Sequence, residues 1–477
     1  MDNICNESWA RSRRPGPERV LQFGEGRFLR AFATRMVDEM NEALEMDWGV
    51  CVVQPRPGCG VEALNRQDGL YTVWLRGMGE HGPVERLRLI RSVTRGLDPY
   101  RDFEGLMACA RSRDLKVVVS NTTEAGIVYR PEDRLEDAPP LSFPGKVTRL
   151  LWERYQAFHG VGGGLIFLPC ELIEHNGDAL LDCVRRHAAA WALGEPFLRW
   201  LEEEHIFANT LVDQIVTGYP EADADAAFTR LGYRDALLDA AEPDSLWVIE
   251  GPDTLPAQLP LAQAGCPVVF TRDVEPYRLR KVSMLNGPHT AMAAVGLMAG
   301  QDTVGDCMGD PALKAMVEAL LFREIMPAMG LEQEREFAYK VLQRYRNPYN
   351  RHMLASIAMN SASKFRARLL TPLKRFYAGT GRLPRLIVLS MAALCALYGQ
   401  RRAAISEDAA ILNAFAPRAG EGYACRTRRL LADGSIWGEP LDKIPGLAEA
   451  VGRDLEAVEQ RGMARALEAA MEEARDA

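Results

Sequence analysis

The chain has 477 residues, 47% of them hydrophobic and 26% charged, with a formal net charge of -8. That length suits two or three domains, and the composition is that of a soluble globular protein. The acidic balance argues against nucleic acid or an anionic membrane as the main partner, because both reward clustered lysine and arginine. It leaves room for a small anionic ligand held by a few buried cations.

The ten cysteines are scattered and none stands in CxxC spacing. No zinc ribbon or thioredoxin-type site is expected from them, and no metal ligand set shows by spacing. Cys51, Cys170 and Cys395 lie in apolar runs, where cysteine acts as a small hydrophobe. A reducing cytoplasm is the expected compartment. The first twenty residues have no apolar core of the kind a signal peptide needs. The most apolar run, Leu386 to Tyr398, is short for a membrane span and right for a buried helix.

In chain order, "RVLQFG" (19–24) reads as a strand and 27–45 as an amphipathic helix, with Phe28, Leu29, Phe32, Met36, Val37, Met40 and Leu44 near helical spacing. Further short apolar runs follow at 49–55, 115–127, 164–172, 245–251 and 266–273. β-branched runs alternating with helical segments predict βαβ units around a mainly parallel sheet. Residues 73–77 and 85–93 read as an added antiparallel piece. Beyond about 274 strand signals nearly vanish, and helices are predicted over 281–299, 311–329, 331–344, 350–370, 383–399, 405–416 and 449–475. The expected fold is α/β: a Rossmann-like dinucleotide-binding domain over 1–273 and a mostly α-helical domain over 274–477. Residues 421–450 carry no assignment.

"VLQFGEGRFLR" puts Gly24 and Gly26 at a strand-to-helix turn. This is half of a dinucleotide fingerprint: one glycine for the tight turn, one to let backbone approach a pyrophosphate at a helix N-terminus. Leu29 stands where a third glycine belongs, so a tight turn without ligand is the competing reading. Arg27 and Phe28 flank the site. The second strand ends in "VVQPRPG" rather than an acid. Gln54 can still hydrogen-bond a ribose hydroxyl, and Arg56 can attract a 2′-phosphate, so NAD(H) is expected and NADP(H) is not excluded. "SNTTEAG" (120–126) follows another strand, which makes Asn121, Thr122, Thr123 and Glu124 cofactor candidates; helix capping is the alternative. "GVGGG" (160–164) precedes a strand and reads as a flexible turn.

"KVSMLNGPHTA" (281–291) gathers a lysine, an asparagine and a histidine. Hydride transfer to a carbonyl without a metal needs a side chain to protonate the developing alkoxide. Lys281 can do this if burial lowers its pKa. Asn286 can donate to the oxyanion and His289 can hold a substrate hydroxyl. On one helix Lys281 and His289 would be about 80° apart. Pro288 opens a second reading, with Lys281 on a preceding segment and a new helix starting near Gly287. A surface lysine and a buried histidine is the bland reading. Tyr277 and Lys281 also form YxxxK, but the glycine turn that accompanies that pair in short-chain dehydrogenases is absent.

Taken in order, these residues resemble the mannitol dehydrogenase family, the polyol-specific long-chain dehydrogenases. The likeness spans nearly the whole chain: GxGxFxR at Gly24, Gly26, Phe28 and Arg30, "TTEAG" at 122–126, "CELIEHNG" at 170–177, "NTLVDQI" at 209–215, KxxxxNxxH on Lys281, Asn286 and His289, and the segment "RNPYNRHMLASIAMNSASK" ending at Lys364. The resemblance implies a Rossmann-like domain, a helical domain and a cleft between them. It implies Lys281 as general acid/base, Asn286 as oxyanion donor, Asp213 and His289 on substrate hydroxyls, and Lys364 on the far end of the substrate.

Two departures narrow this. Leu172 stands where mannitol-type members have asparagine, leaving Asn286 and a rearranged Glu171 to stabilise the oxyanion, and Ser356 replaces an arginine. "PCELIEHNG", "PYRLRKVSMLNGPHT" and "NSASKFRARLL" resemble the branch that reduces a hexuronate ketone with NAD(H). Such a substrate carries a carboxylate, for which Lys364, Arg368, Arg278, Arg280 and His352 are nearby cations. Another sugar acid or a neutral polyol is the alternative substrate. A non-catalytic dinucleotide sensor is the alternative of another class.

Overall fold

A computed structural model describes residues 2–4, 16–58, 60–79, 82–122, 126–400 and 407–475. The chain divides into two compact units, Met1–Glu275 and Pro276–Ala477.

The first unit is built on a six-stranded, all-parallel sheet. Its strands run, edge to edge, Val93–Leu97, Gly49–Val53, Glu18–Phe23, Val117–Ser120, Ile166–Pro169 and Ile206–Phe207. Numbered by sequence within this sheet the order is 3-2-1-4-5-6, the doubly wound dinucleotide-binding order. "GVCVV" and "VVVS" are buried at every position, as expected of strands covered on both faces. The order reverses beside Glu18–Phe23, so a crevice opens at the carboxyl ends of that strand and Val117–Ser120.

The antiparallel piece expected at 73–77 and 85–93 is the hairpin Tyr71–Gly79 with Gly82–Ile90. Residue 93 itself belongs elsewhere: Val93–Leu97 is the outer strand of the main sheet. The hairpin is extended by Asp239–Ala241 and Val216–Gly218. The apolar runs at 245–251 and 266–273 do not join the main sheet as their composition suggests. Leu246–Glu250 and Val268–Thr271 form a separate three-stranded sheet with Thr210–Asp213. Composition shows that a run is buried, not which sheet buries it.

The second unit is helical among its described residues. Its centre is Arg385–Gly399, where Leu386 to Tyr398 are all buried, and Gly287–Met298, buried from Gly287 to Gly296. Helices apolar on every side belong inside a bundle. The N-terminus of Arg385–Gly399 follows Pro384, which offers no capping side chain. Glu324 takes that role: its carboxylate accepts from the backbone N–H of Leu386 (2.7 Å) and Ile387 (3.0 Å). No helix among the described residues is long and apolar enough to cross a membrane.

Candidate active site

The first unit presents its candidates at the carboxyl edge of the parallel sheet. Gly24 has φ +130°, open to glycine and costly for other residues. A Cβ there would sit 3.0 Å from the Asn121 carbonyl oxygen and 3.1 Å from Leu29 Cδ1. The turn is braced from behind. Gln22, buried in the strand, donates from Nε2 to the Gly24 carbonyl (2.9 Å) and accepts from Thr34 Oγ1 (2.6 Å). Gly26 differs: φ is -66° and a Cβ would meet nothing within 4 Å. It precedes a helical run, Arg27–Leu29, Arg30–Thr34 and Arg35–Ala43, whose start has no side-chain cap. A helix start without a side-chain cap, with open space beside Gly26, at the switch point of a doubly wound sheet fits a dinucleotide pyrophosphate.

The flanking candidates are less open. Arg27 is exposed and donates to the Thr217 carbonyl (3.2 Å), while Phe28 stacks on Phe32 at 5.0 Å. Gln54 is 1% exposed, and its Oε1 accepts from the Val61 N–H at 3.5 Å. Arg56 is exposed. Asn121 donates from Nδ2 to the Cys170 carbonyl (2.9 Å). Thr123 and Glu124 lie outside the described residues.

Glu171 is buried, and both oxygens of its carboxylate accept hydrogen bonds. Oε1 accepts from both the N–H and Oγ1 of Thr122 (2.9 Å each), and Oε2 from Ser120 Oγ (3.0 Å). Burial raises its pKa against those hydrogen bonds. Leu172, beside it, is 63% exposed. Asn176 stitches the next layer, donating to the Pro169, Glu171 and Thr210 carbonyls and accepting from the Thr210 N–H (2.8 Å). That fixes the strand Thr210–Asp213, which ends in the buried carboxylate of Asp213.

In the second unit Lys281 closes the α-helix Glu275–Lys281, a π-helical stretch covers Val282–Asn286, and α-helix resumes at Gly287. Both sequence readings are therefore partly met: the helix is continuous in chain, but its geometry changes ahead of Pro288. Proline in an α-helical interior clashes with the carbonyl four residues back, and a wider turn relieves this. Carbonyls on this stretch find side-chain donors, Leu285 from Tyr345 Oη and Asn286 from Thr290 Oγ1 (3.0 Å). Lys281 and Asn286 are half-buried.

His289 is 7% exposed and packs against Tyr345 (ring centroids 4.3 Å) and His352 (5.1 Å, edge to face). Burial, then His352, Arg344 and Arg368, hold its pKa well below the ordinary value. Arg368 donates to Thr290 Oγ1 (3.1 Å) on the same helix. Lys364 donates to the Ile357 carbonyl (2.9 Å), and its charge adds to burial in depressing His352. The Nδ1 of His352 is buried without a hydrogen-bond partner among the described residues. The structure thus gathers His289, His352, Lys364 and Arg368 into one basic cluster. Arg280 stands apart, paired with Glu334 (3.0 Å).

Sequence reasoning missed Gln22, Asn176 and Arg344. A glutamine inside "VLQF" and an asparagine after His175 are polar residues in apolar surroundings, and that was the available signal. Arg344, 6% exposed, lies just before the "NP" segment and gave none.

Two family models match end to end, the mannitol dehydrogenase Rossmann domain over residues 18–263 and the mannitol dehydrogenase C-terminal domain over 273–459. The chain is 43% identical over 466 residues to altronate oxidoreductase of Klebsiella pneumoniae (strain 342), covering 95% of this chain and 96% of that protein. It is 42% identical to altronate oxidoreductase of Escherichia coli O1:K1 / APEC, covering 94% and 96%. Among solved structures, Pseudomonas fluorescens mannitol 2-dehydrogenase in ternary complex with NAD and D-mannitol superposes with TM-score 0.72 at 22% identity, over 97% of this chain and 95% of that one. Substrate-free D-sorbitol dehydrogenase gives TM-score 0.75 at 22% identity, over 95% of each.

Proposed function

This chain belongs to the mannitol dehydrogenase family, and on that footing we propose that it is an NAD(H)-dependent oxidoreductase interconverting D-tagaturonate and D-altronate. The observation that carries this reading is the near-full-length likeness to altronate oxidoreductases. The basic surroundings of His289 give it a physical reason, because a hexuronate brings a carboxylate that a neutral polyol lacks.

NAD(H), when bound, supplies or accepts the hydride at the substrate carbon. Gly24 and Gly26 shape the turn for its pyrophosphate, braced by Gln22. Lys281 delivers the proton to the carbonyl oxygen as it becomes an alkoxide, and withdraws it in the reverse direction. Asn286 donates a hydrogen bond to the same oxygen. His289, held neutral, and Asp213 engage substrate hydroxyls. Lys364, Arg368 and His352 hold the carboxylate. Glu171 positions Thr122 and Ser120 rather than offering a free oxygen to substrate.

The test is loss of NADH absorbance with D-tagaturonate, D-fructuronate and D-fructose offered in parallel, then with NADPH. Oxidation with tagaturonate alone is the expected outcome. Preference for fructuronate or fructose would reassign the substrate and keep the family. Silence with all three while NADH still binds would favour a sensor.

A further inference from the structure

Away from the carboxyl edge of the sheet, two cysteines meet across the core of the first unit. Cys51 lies mid-strand in Gly49–Val53 and is fully buried, and Cys109 lies on the helix Phe103–Arg111 and is 5% exposed. Their sulfurs and a carboxylate oxygen of Glu18 all lie within 4.8 Å of one another. Arg95 completes the cluster. Its guanidinium donates to both oxygens of Glu18 (2.8 and 3.0 Å) and to Cys109 Sγ (3.4 Å), while that sulfur lies 3.7 Å from Glu18 Oε2.

We infer that Cys51 and Cys109 form a reversible oxidation site, in which a hydroperoxide oxidises Cys109 and Cys51 resolves it as an intrachain disulfide. The two thiols are unequal. Arg95 donates to Cys109 Sγ (3.4 Å), whose own thiol faces Glu18 Oε2. The neighbouring thiol and Arg95 lower the pKa of Cys109 against burial and Glu18, while Cys109 and burial raise that of Cys51. Cys109, seated on the Arg95 guanidinium and the less buried of the two, is the nucleophile. The side chains of Glu18 and Arg95, 25% and 40% exposed, connect it to solvent. The same donors suit a soft divalent metal. A guanidinium already seated on the sulfur and the carboxylate favours thiol chemistry, because it supplies the positive charge a metal would bring.

The chemistry balances. The Cys109 thiolate attacks one peroxide oxygen, the O–O bond breaks, and the leaving hydroxide takes a solvent proton to become water. Cys109 is now a sulfenic acid, oxidised by two electrons. The Cys51 sulfur then attacks the Cys109 sulfur, the S–O bond breaks, and the departing hydroxide leaves as water with the Cys51 thiol proton. A dithiol reductant reverses the net change.

The experiment treats the full chain with hydrogen peroxide, blocks remaining thiols, and maps peptides without reduction. A peptide linking Cys51 to Cys109, lost on treatment with dithiothreitol and absent from Cys51→Ala and Cys109→Ala, is the expected result. Arg95→Gln should slow alkylation of Cys109 at neutral pH several-fold and move its pH dependence upward. Oxidation confined to other cysteines, such as exposed Cys425, would overturn the inference. So would a tightly held metal that protects both thiols from alkylation until a chelator removes it.

Discussion

The rings of His289 and His352 stand edge to face, 5.1 Å apart, with like charge on the groups around them. Both imidazoles have folded pKa values below the unfolded value of about 6.5. Below that pH the unfolded chain takes up protons that the folded chain refuses, so stability is lost as pH falls. An anion entering the cluster reverses part of the penalty. Hexuronate binding at about pH 6 should therefore be accompanied by proton uptake, and should tighten as pH falls towards that value. Titration calorimetry in buffers of different ionisation enthalpy measures this. Binding with no buffer dependence would place the carboxylate away from these histidines.

Lys281→Met should lower turnover by about a hundredfold to ten-thousandfold, the usual contribution of a positioned acid or base. NADH binding, followed by its fluorescence, should be unchanged. Turnover near wild type would remove Lys281 from the chemistry.

Arg368→Leu should raise KM for the hexuronate by about tenfold or more, since a hydrogen bond to a charged group is worth about 1.5–3 kcal/mol. KM for fructose, if that is turned over, should barely move, and Arg368→Lys should recover part of the loss. Equal damage to both substrates would mean that Arg368 supports the helix through Thr290 and does not meet a carboxylate.

The two glycines of the first turn should separate by substitution. Gly24→Ala strains a positive φ and crowds Asn121, so it should lower the melting temperature. Gly26→Ala meets open space and should fold normally, yet weaken NADH binding by filling the approach to the helix start. Unaltered NADH affinity in a well-folded Gly26→Ala protein would move the pyrophosphate elsewhere.

Arg56 is exposed just past the second strand, where no acid faces the ribose. Arg56→Ala should cut kcat/KM with NADPH more than with NADH. An unchanged ratio would show that Arg56 does not face the 2′ position.

The mainly parallel sheet was legible because its strands are short, β-branched and separated by helices, whereas its strand order, and the placing of 245–251 and 266–273 in another sheet, were not. The segment 281–291 was legible because its polar residues stand out in an apolar run. Other features depend on distant partners. Asp239–Ala241 reads as nothing by itself and becomes a strand by pairing with Val73–Leu75. Arg344 looks like one more surface arginine in "QRYRN" until its helix buries it beside His289. The π turn was foreshadowed only by Pro288. Glu171 was legible as important, but not as a residue whose two oxygens are already held by Ser120 and Thr122.

That bridging has a practical consequence for redesign. Residues 120–122 close one strand and residues 170–172 follow its neighbour, and a single carboxylate ties the two segments together. Displacing either loop drags the other. Libraries that vary exposed Leu172 to change sugar preference should therefore be screened at several NADH concentrations, because a shift of its loop reaches residues 120–122 through Glu171.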